Sequence, residues 1–373
     1  VRILFLCKRR YMSKDVILER YARLYEIPYQ LARRGHEVLG LCLSYAGAAE
    51  GTWQHKASPG GLEWRSFDMG RTVLPGLIRF LRQADALSQS FKPDLVIGAS
   101  DIPHCWLAQR LAARLGVPYA LDLYDDFESY GQARLPGAKT LFRNAVRNAG
   151  LVSCVSQPLA ERVRQQYRAK GRVIVLESTI DKTRFKPQDR RECRRQLGLP
   201  DSGRLIGTAG ALSAEKGIGT LYRAFDLLAD EQQDLHLVIA GPMERKFPPP
   251  RHPRVHYLGL VPHAQVATLF SALDVGVICV PDTPFGRFSF PQKAYEMIAC
   301  GIPVMAAAVG AMGSTLGGFP DCLFLAENPS DLAAKLRRQL ERPQVPQLII
   351  MDWGELAGVL EGEILKVHMS RGK

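Results

Sequence analysis

Along the chain, apolar runs of strand length alternate with segments whose apolar residues recur every three or four positions. In the first half the strand-length runs lie at 1–7, 37–43, 62–67, 94–99, 118–123, 151–155 and 172–176, with helical patterns between most of them, for example at 103–115 and 157–167. Such alternation predicts a parallel sheet with helices on both faces. A polar stretch, Lys186-Pro187-Gln188-Asp189-Arg190-Arg191-Glu192, then precedes Gly198-Leu199-Pro200-Asp201-Ser202-Gly203 and marks a boundary zone. The alternation restarts with strand runs at 204–209, 235–240, 255–259, 275–280, 303–307 and 322–325. Helices fit 218–228, 264–273 and 330–340, the last with Ser330 where an N-cap is wanted. The expected fold class is therefore α/β, with two doubly wound Rossmann-like domains facing each other across a cleft. The first would cover 1–185 and the second 186–351, with a last helix at about 352–368 crossing back onto the first. Ligands would lie at the carboxyl ends of the strands.

The segment from Phe285 to Val304 departs from the repeating pattern. It predicts a glycine-bearing loop, a short helix, and a buried strand. Pro291 suits the first helical turn, Gly301 the left-handed position that stops the helix, and Pro303 prevents its resumption. Lys293 and Glu296 are three apart and share a helix face. With N–H groups of the loop near Ser289 and Phe290, they could hold a diphosphate through the Lys and a ribose diol through the Glu. A second loop, Gly207-Thr208-Ala209-Gly210-Ala211-Leu212-Ser213-Ala214-Glu215-Lys216-Gly217, follows a strand and opens a helix. Gly210 allows close backbone approach and Lys216 can reach a phosphate as a point charge. Alone, that loop is as consistent with an ordinary strand–helix junction and a solvated lysine.

Composition narrows the class. Hydrophobic content of 46% and charged content of 23% are globular values. No apolar run approaches the length of a spanning helix, and 1–7 followed by Lys8-Arg9-Arg10 reads as a first strand rather than a leader. The eight cysteines include no C-x-x-C pair, so reduced thiols are expected, with no metal site and no disulfide framework. The net charge of +12 is uneven: residues 1–184 hold 28 Lys+Arg against 17 Asp+Glu (+11), the remainder 21 against 20 (+1). A basic first half suggests an anionic partner or, more plainly, an Arg-rich solvated surface. Lys8, Arg9 and Arg10 beside Tyr11 suit an anionic or lipid-diphosphate acceptor at the rim of the first sheet. The run Leu74-Pro75-Gly76-Leu77-Ile78-Arg79-Phe80-Leu81-Arg82 fits an interfacial helix on an anionic membrane, and fits better a core helix with a basic outer face. Asp122, Asp125 and Asp126 lie close in sequence but form no D-x-D. His104, at a strand-to-helix turn, faces the expected cleft as a capping or a functional group. No groove-reading nucleic-acid motif is present.

The second half resembles the retaining glycosyltransferases of family 4. Gly210…Lys216-Gly217 is similar to that family's phosphate loop and Val238-Ile239-Ala240-Gly241 to its V-I-x-G strand end. Tyr257-Leu258-Gly259-Leu260-Val261 resembles the base-contacting turn, Ala272-Leu273-Asp274-Val275 the lead into the donor loop, and Glu296 to Val304 the run E-x-M-A-x-G-x-P-V. Pro291, Lys293 and Glu296 place the chain with members carrying a P-x-K-x-x-E helix, whose loop has a Ser matched by Ser289. In the first half, Leu31 to Val38 and Leu151 to Ser156 resemble family segments, as does Met351-Asp352-Trp353 before the last helix. Three positions differ: Phe288 stands where many members have a Glu, Ala211 where they have an Arg, and Tyr124 where they have a His.

The resemblance implies the GT-B fold and a metal-independent, retaining hexosyl transfer from a nucleoside-diphosphate sugar, a co-substrate rather than a cofactor. Lys216, Glu296, Tyr124 and Asp125 are the expected catalytic residues. Gly210, Lys216, Val261, Arg287, Ser289, Phe290, Lys293 and Glu296 would bind donor, with Arg287 or Lys293 standing in for the missing Arg. Lys8, Arg9, Arg10, Tyr11 and His104 would face the acceptor. The setting implied is polysaccharide, lipopolysaccharide or glycolipid assembly in the cytoplasm, with peripheral contact at the inner face of the plasma membrane left open. The alternatives are a non-catalytic GT-B partner subunit, or an epimerase or phosphorylase on the same fold.

Overall fold

A computed structural model describes residues 1–12, 14–70 and 73–369. These divide into two units: Val1–Ser178 with the last helix, Trp353–Met369, and Thr179–Asp352.

The first unit is built on eight strands: β1 (Arg2–Lys8), β2 (Glu37–Ser44), β3 (Gly51–Ala57), β4 (Gly60–Asp68), β5 (Leu95–Ala99), β6 (Tyr119–Leu123), β7 (Leu151–Cys154) and β8 (Arg172–Val175). Their order is β8-β7-β6-β5-β1-β2-β4-β3, parallel except where β3 runs antiparallel to β4. The sequence pattern missed β3, because its polar, largely exposed residues give no apolar run. Gly40 on β2 is required by packing, since a Cβ there would lie 2.2 Å from the Trp64 indole. The helices are α1 (Ala22–Arg33), α2 (Val73–Phe91), α3 (Ile102–Leu115), α4 (Ala138–Asn148) and α5 (Gln157–Gln165). A bidentate ion pair fastens α1 to the sheet: Arg23 donates to both Asp122 oxygens at 2.8 and 2.7 Å and to the Leu176 carbonyl at 2.7 Å.

The second unit has six parallel strands, β9 (Arg204–Ala209), β10 (Leu235–Ala240), β11 (Val255–Tyr257), β12 (Val275–Ile278), β13 (Val304–Ala307) and β14 (Leu323–Phe324), in the order β11-β10-β9-β12-β13-β14. Its helices are α6 (Arg190–Gln196), α7 (Ile218–Ala229), α8 (Val266–Ala272), α9 (Pro284–Phe288), α10 (Lys293–Ala299), α11 (Gly310–Thr315) and α12 (Pro329–Glu341). Ile206, Leu221, Phe225, Leu237, Val277 and Leu336 lie in one core between sheet and helices. The cap of α12 is Asn328, whose side chain accepts from Asp331 N–H at 3.0 Å, not Ser330; the helix begins one residue earlier than its apolar period suggests.

The last helix, α13 (Trp353–Met369), packs with α1 in the first unit. Glu361 on α13 accepts from Arg34 Nε at 2.6 Å and lies 2.8 Å from His36 Nε2. The passages between units fall at 178/179 and 352/353 rather than at 185/186 and 351/352. At these passages Ile180 bridges Asp352, and the Thr179 hydroxyl donates to the Met351 carbonyl. Among the described residues no helix is long and apolar enough to cross a membrane.

Candidate functional site

In the second unit the chain builds β9, β10 and β11 in one direction, then returns to add β12 on the other side of β9. The ends of β9 and β12 therefore form the point where strand order reverses, which is where open α/β sheets bind their ligands. Gly210, directly after β9, has φ +121° and donates its N–H to the Ala240 carbonyl at 2.9 Å. A Cβ on Gly210 would lie 3.1 Å from Lys293 Nζ, and one on Gly241 (φ +125°) would lie 2.1 Å from the Gly210 carbonyl oxygen. Only glycines allow both strand ends to close up beside that lysine. Gly210→Ala is expected to cost about 1–3 kcal/mol in backbone strain. Calorimetry should show the second unit melting several degrees lower, and an unchanged melting temperature would contradict this account.

A turn at Ala214–Lys216 follows, and Gly217 (φ +68°) starts α7 close to the Cys279 carbonyl, which a Cβ would meet at 3.1 Å. Lys216 thus stands beside the end of β12, its exposed ammonium 3.9 Å from the centre of the Phe285 ring. From α10, partly buried Lys293 and Glu296 reach the same place. Lys293 Nζ donates to the Ala209 carbonyl at 2.7 Å, at the tip of β9. Desolvation lowers its pKa to about 8; Lys216 adds to the lowering, while Glu296 and Cys279 oppose it. Desolvation raises Glu296 to about 7, against the pull of Lys293, Arg184 and the Gln292 amide, which donates at 3.4 Å. Two cations and a carboxylate therefore form one electrostatic group at the reversal point. An anion would relieve the repulsion between the lysines, and hydroxyl donors would favour ionised Glu296.

Other expected donor residues are placed differently. Gly301 ends α10 with φ +75°, whereas Pro291 lies two residues ahead of the helix. The Ser289 N–H donates to the Phe285 carbonyl at 3.0 Å, so it is not a free anion donor. Phe290 is buried, its ring 4.9 Å from Tyr295. Arg287 is 57% exposed and held by Asp282 at 2.6 and 3.0 Å, away from the role of replacing the absent Arg. Val261 follows Gly259, whose carbonyl accepts from Gly241 N–H at 2.7 Å, which ties that turn to the strand-end loop. Arg184 went unnoticed in the sequence because it sits in a stretch without a motif; it pairs with His263 and acts on Glu296.

In the first unit the order reverses between β1 and β5. Lys8 N–H donates to Ser100 Oγ at 2.9 Å, joining the two strand ends, and Ser100 takes a left-handed φ of +85°. The Lys8 ammonium lies 5.7 and 5.3 Å from the centres of the Tyr124 and Tyr130 rings. Desolvation lowers its pKa, opposed by Asp101 and Asp125. Tyr11 packs its ring 4.9 Å from that of Tyr124. Tyr124 is buried and its hydroxyl donates to the Ser100 carbonyl at 3.0 Å, so it holds the loop after β5 rather than presenting a hydroxyl. Asp125 accepts from the Tyr130 hydroxyl at 3.0 Å. Arg9 is fully buried, paired with Asp15 at 2.8 Å and 4.6 Å from the Trp53 ring centre; it anchors the loop after β1 and cannot meet a ligand. His104 is likewise buried against Asp101, the N-cap of α3. Arg10 alone of the basic trio is exposed. Asp122 is engaged by Arg23, and Asp126 by Arg162 at 2.9 Å.

Comparison with known proteins shows the family and the fold. A glycosyl transferase 4-like domain matches residues 22–178 and a glycosyl transferases group 1 domain matches residues 203–342. The chain is 26% identical over 295 residues to the protein named for teichuronic acid biosynthesis, glycosyltransferase TuaC of Bacillus subtilis, covering 78% of this chain and 72% of that one. It is 29% identical over 282 residues to D-inositol 3-phosphate glycosyltransferase 2 of Catenulispora acidiphila, covering 68% of this chain and 62% of that one. In fold it is similar to Anabaena Alr3699/HepE, solved in complex with UDP, with a TM-score of 0.69, 18% identity, and coverage of 100% of this chain and 98% of that one. The chain belongs to the family-4-like glycosyltransferases and has their GT-B fold of two Rossmann-like domains.

Proposed function

We propose that this protein is a retaining, metal-independent hexosyltransferase whose second unit grips a nucleoside-diphosphate sugar through Lys216, Lys293 and Glu296. The observation that carries the proposal is the meeting of those three side chains at the end of β9. Lys293 and Lys216 would neutralise the diphosphate as it departs with growing negative charge, which lowers the barrier where charge develops. Glu296 would accept hydrogen bonds from ribose hydroxyls, and the turn at Val261 would present backbone atoms to the base. The acceptor would be held by the first unit near Lys8, Tyr11 and Asp125. Holding both reactants in register supplies the remaining rate enhancement. Retention of anomeric configuration rests on the resemblance to family 4. A place in polysaccharide or glycolipid assembly is supported by the likeness to TuaC.

The two shifted groups make donor affinity depend on pH in a defined direction. Ribose hydroxyls favour ionised Glu296, so bound donor lowers its pKa and affinity falls as pH drops below about 7. The diphosphate favours protonated Lys293, so bound donor raises its pKa and affinity falls as pH climbs above about 8. Each limb approaches about tenfold per pH unit. Titration calorimetry from pH 5.5 to 9.5 with UDP-glucose and GDP-mannose, whose diphosphates do not titrate there, should give a maximum between the two values. No binding of either, or a flat profile, would count against the site.

A further inference from the structure

Residues 179–189, which precede α6 in the second unit, carry an arginine that no part of the donor motif contains. Asp181 shapes them. Its side chain accepts from the Thr183 N–H at 2.9 Å and the Thr183 hydroxyl at 2.6 Å, and its carbonyl accepts from the Arg184 and Phe185 N–H groups at 3.1 and 2.9 Å. The resulting turn buries Phe185 and leaves Arg184 exposed. Contacts further along fix the segment to two helices. The Gln188 side-chain oxygen accepts from the Thr268 hydroxyl on α8 at 3.3 Å, and Pro187 lies against the end of α10, where a Cβ on Gly301 would meet its Cγ at 3.2 Å. Arg184 itself donates to Nδ1 of His263, in the turn His263–Gln265 that opens two residues after Val261. The Phe185 ring meets the His263 ring edge-on, 6.1 Å between centres. From this place the Arg184 charge acts on Glu296 of α10.

Glu296 needs such a neighbour. Facing it are Lys293, one turn back on its own helix, Arg184 from the segment before α6, and the Gln292 amide, a long donor at 3.4 Å. Cys300, one turn on, feels its charge, and Lys216 stands beyond Lys293. Both lysines are the partners of a bound diphosphate, which would cancel most of their field at Glu296 and bring negative charge of its own. A carboxylate left alone there takes up a proton, and a protonated carboxyl has less acceptor capacity for a ribose diol. Arg184 is a cation outside the diphosphate pair. Asp181 also feels its charge, and the hydrogen bond to His263 holds the guanidinium beside the turn after Val261.

We propose that Arg184 is a positioning residue of the donor site: hydrogen-bonded to the turn after Val261 and acting on Glu296, it keeps that carboxylate ready to accept the ribose hydroxyls once diphosphate occupies the lysines. The inference rests on the donor reading of Lys216, Lys293 and Glu296, and one experiment separates the two. Titration calorimetry with UDP-glucose and GDP-mannose from pH 5.5 to 9.5 compares the full-length wild type with Arg184→Met, Arg184→Lys and His263→Asn. In Arg184→Met the acid limb of donor affinity, near pH 7 in the wild type, should move up by about half a pH unit, a small step because solvent screens an exposed guanidinium. At pH 6 to 6.5 that is a loss of about threefold, and the gap should close as pH rises past 8. Arg184→Lys keeps the charge and should return the limb to about its wild-type position. His263→Asn keeps a hydrogen-bond acceptor that does not titrate, so an acid limb should persist in it. No binding of either donor by the wild type, or a flat wild-type profile, overturns the donor reading and this inference with it. A wild-type limb near pH 7 that Arg184→Met leaves in place overturns the inference alone, even if that variant melts lower, since Arg184 would then be a structural residue. So does an affinity loss equal at every pH, which would make Arg184 a ligand contact, or an acid limb missing from His263→Asn, which would assign the titration to His263.

Discussion

Lys293→Ala should lower kcat/KM for sugar transfer by about 10²- to 10³-fold, the cost of removing one preorganised charge from a departing oxyanion. Its ammonium is fixed by the Ala209 carbonyl and held in a partly buried position, so it needs little reorganisation to meet a diphosphate. Lys216 is exposed where Lys293 is partly buried, so more solvent screens its charge and Lys216→Ala should cost less, about tenfold. Glu296→Ala should fall between them. Stability should move the other way. Glu296 has a folded pKa near 7, raised above its ordinary value of 4.5, so its favourable contribution is complete below pH 4.5 and lost as pH rises through about 7. Lys293, lowered from 10.5 to about 8, contributes unfavourably below pH 8, and that cost is relieved as pH rises toward 10.5. At pH 7.5 both groups sit charged in a desolvated place. Replacing either should hold or raise the melting temperature of the second unit while abolishing most activity. Loss of activity together with a lowered melting temperature would mean that Lys293 and Glu296 are packing residues, and the donor assignment would fail.

The contrast between the two units shows what sequence pattern can carry. The grouping of Gly210, Lys216, Lys293 and Glu296 was legible because its parts are local: Lys293 and Glu296 are one helical turn apart, and Gly210 and Lys216 belong to one loop after one strand. Strand–helix alternation was legible for the same reason, since each period is written within a few residues. The acceptor side was not. Lys8, Arg9 and Arg10 read as three equal cations, yet Arg9 is buried by Asp15 and Trp53, Lys8 is partly buried beside tyrosines 116 and 122 residues further on, and Arg10 is exposed. Each of those outcomes depends on partners that topology, not spacing, delivers. Tyr124 fails as a sugar contact by the same logic, because its hydroxyl partner is the carbonyl of Ser100 on the neighbouring strand end. Arg287 was assigned to phosphate by proximity in sequence, but Asp282 lies nearer in space.

Arg23→Ala should be the most damaging single change in the first unit. Its side chain has no solvent exposure, and its partner Asp122 is 2% exposed. Removing the guanidinium would leave Asp122 in the core with, among the described residues, only the Ser153 hydroxyl, at 2.6 Å, as a side-chain hydrogen-bond donor, and would free the Leu176 carbonyl. Breaking a buried pair from one side costs about 3–5 kcal/mol, since the surviving charge keeps its desolvation penalty without its attraction. For a unit of this size that corresponds to a fall of roughly 6–20 °C in melting temperature. The pair itself need not be worth that much. Arg23→Met combined with Asp122→Leu removes both charges and fills the volume, and should restore most of the lost stability. Because the contact belongs to the first unit alone, differential scanning calorimetry should show its transition shifting while UDP-glucose binding by the second unit is retained. A shift below about 2 °C for Arg23→Ala, or a double variant no more stable than the single one, would show that α1 is held to the sheet by its apolar face, through Leu24, Ile27 and Leu31, and not by the ion pair.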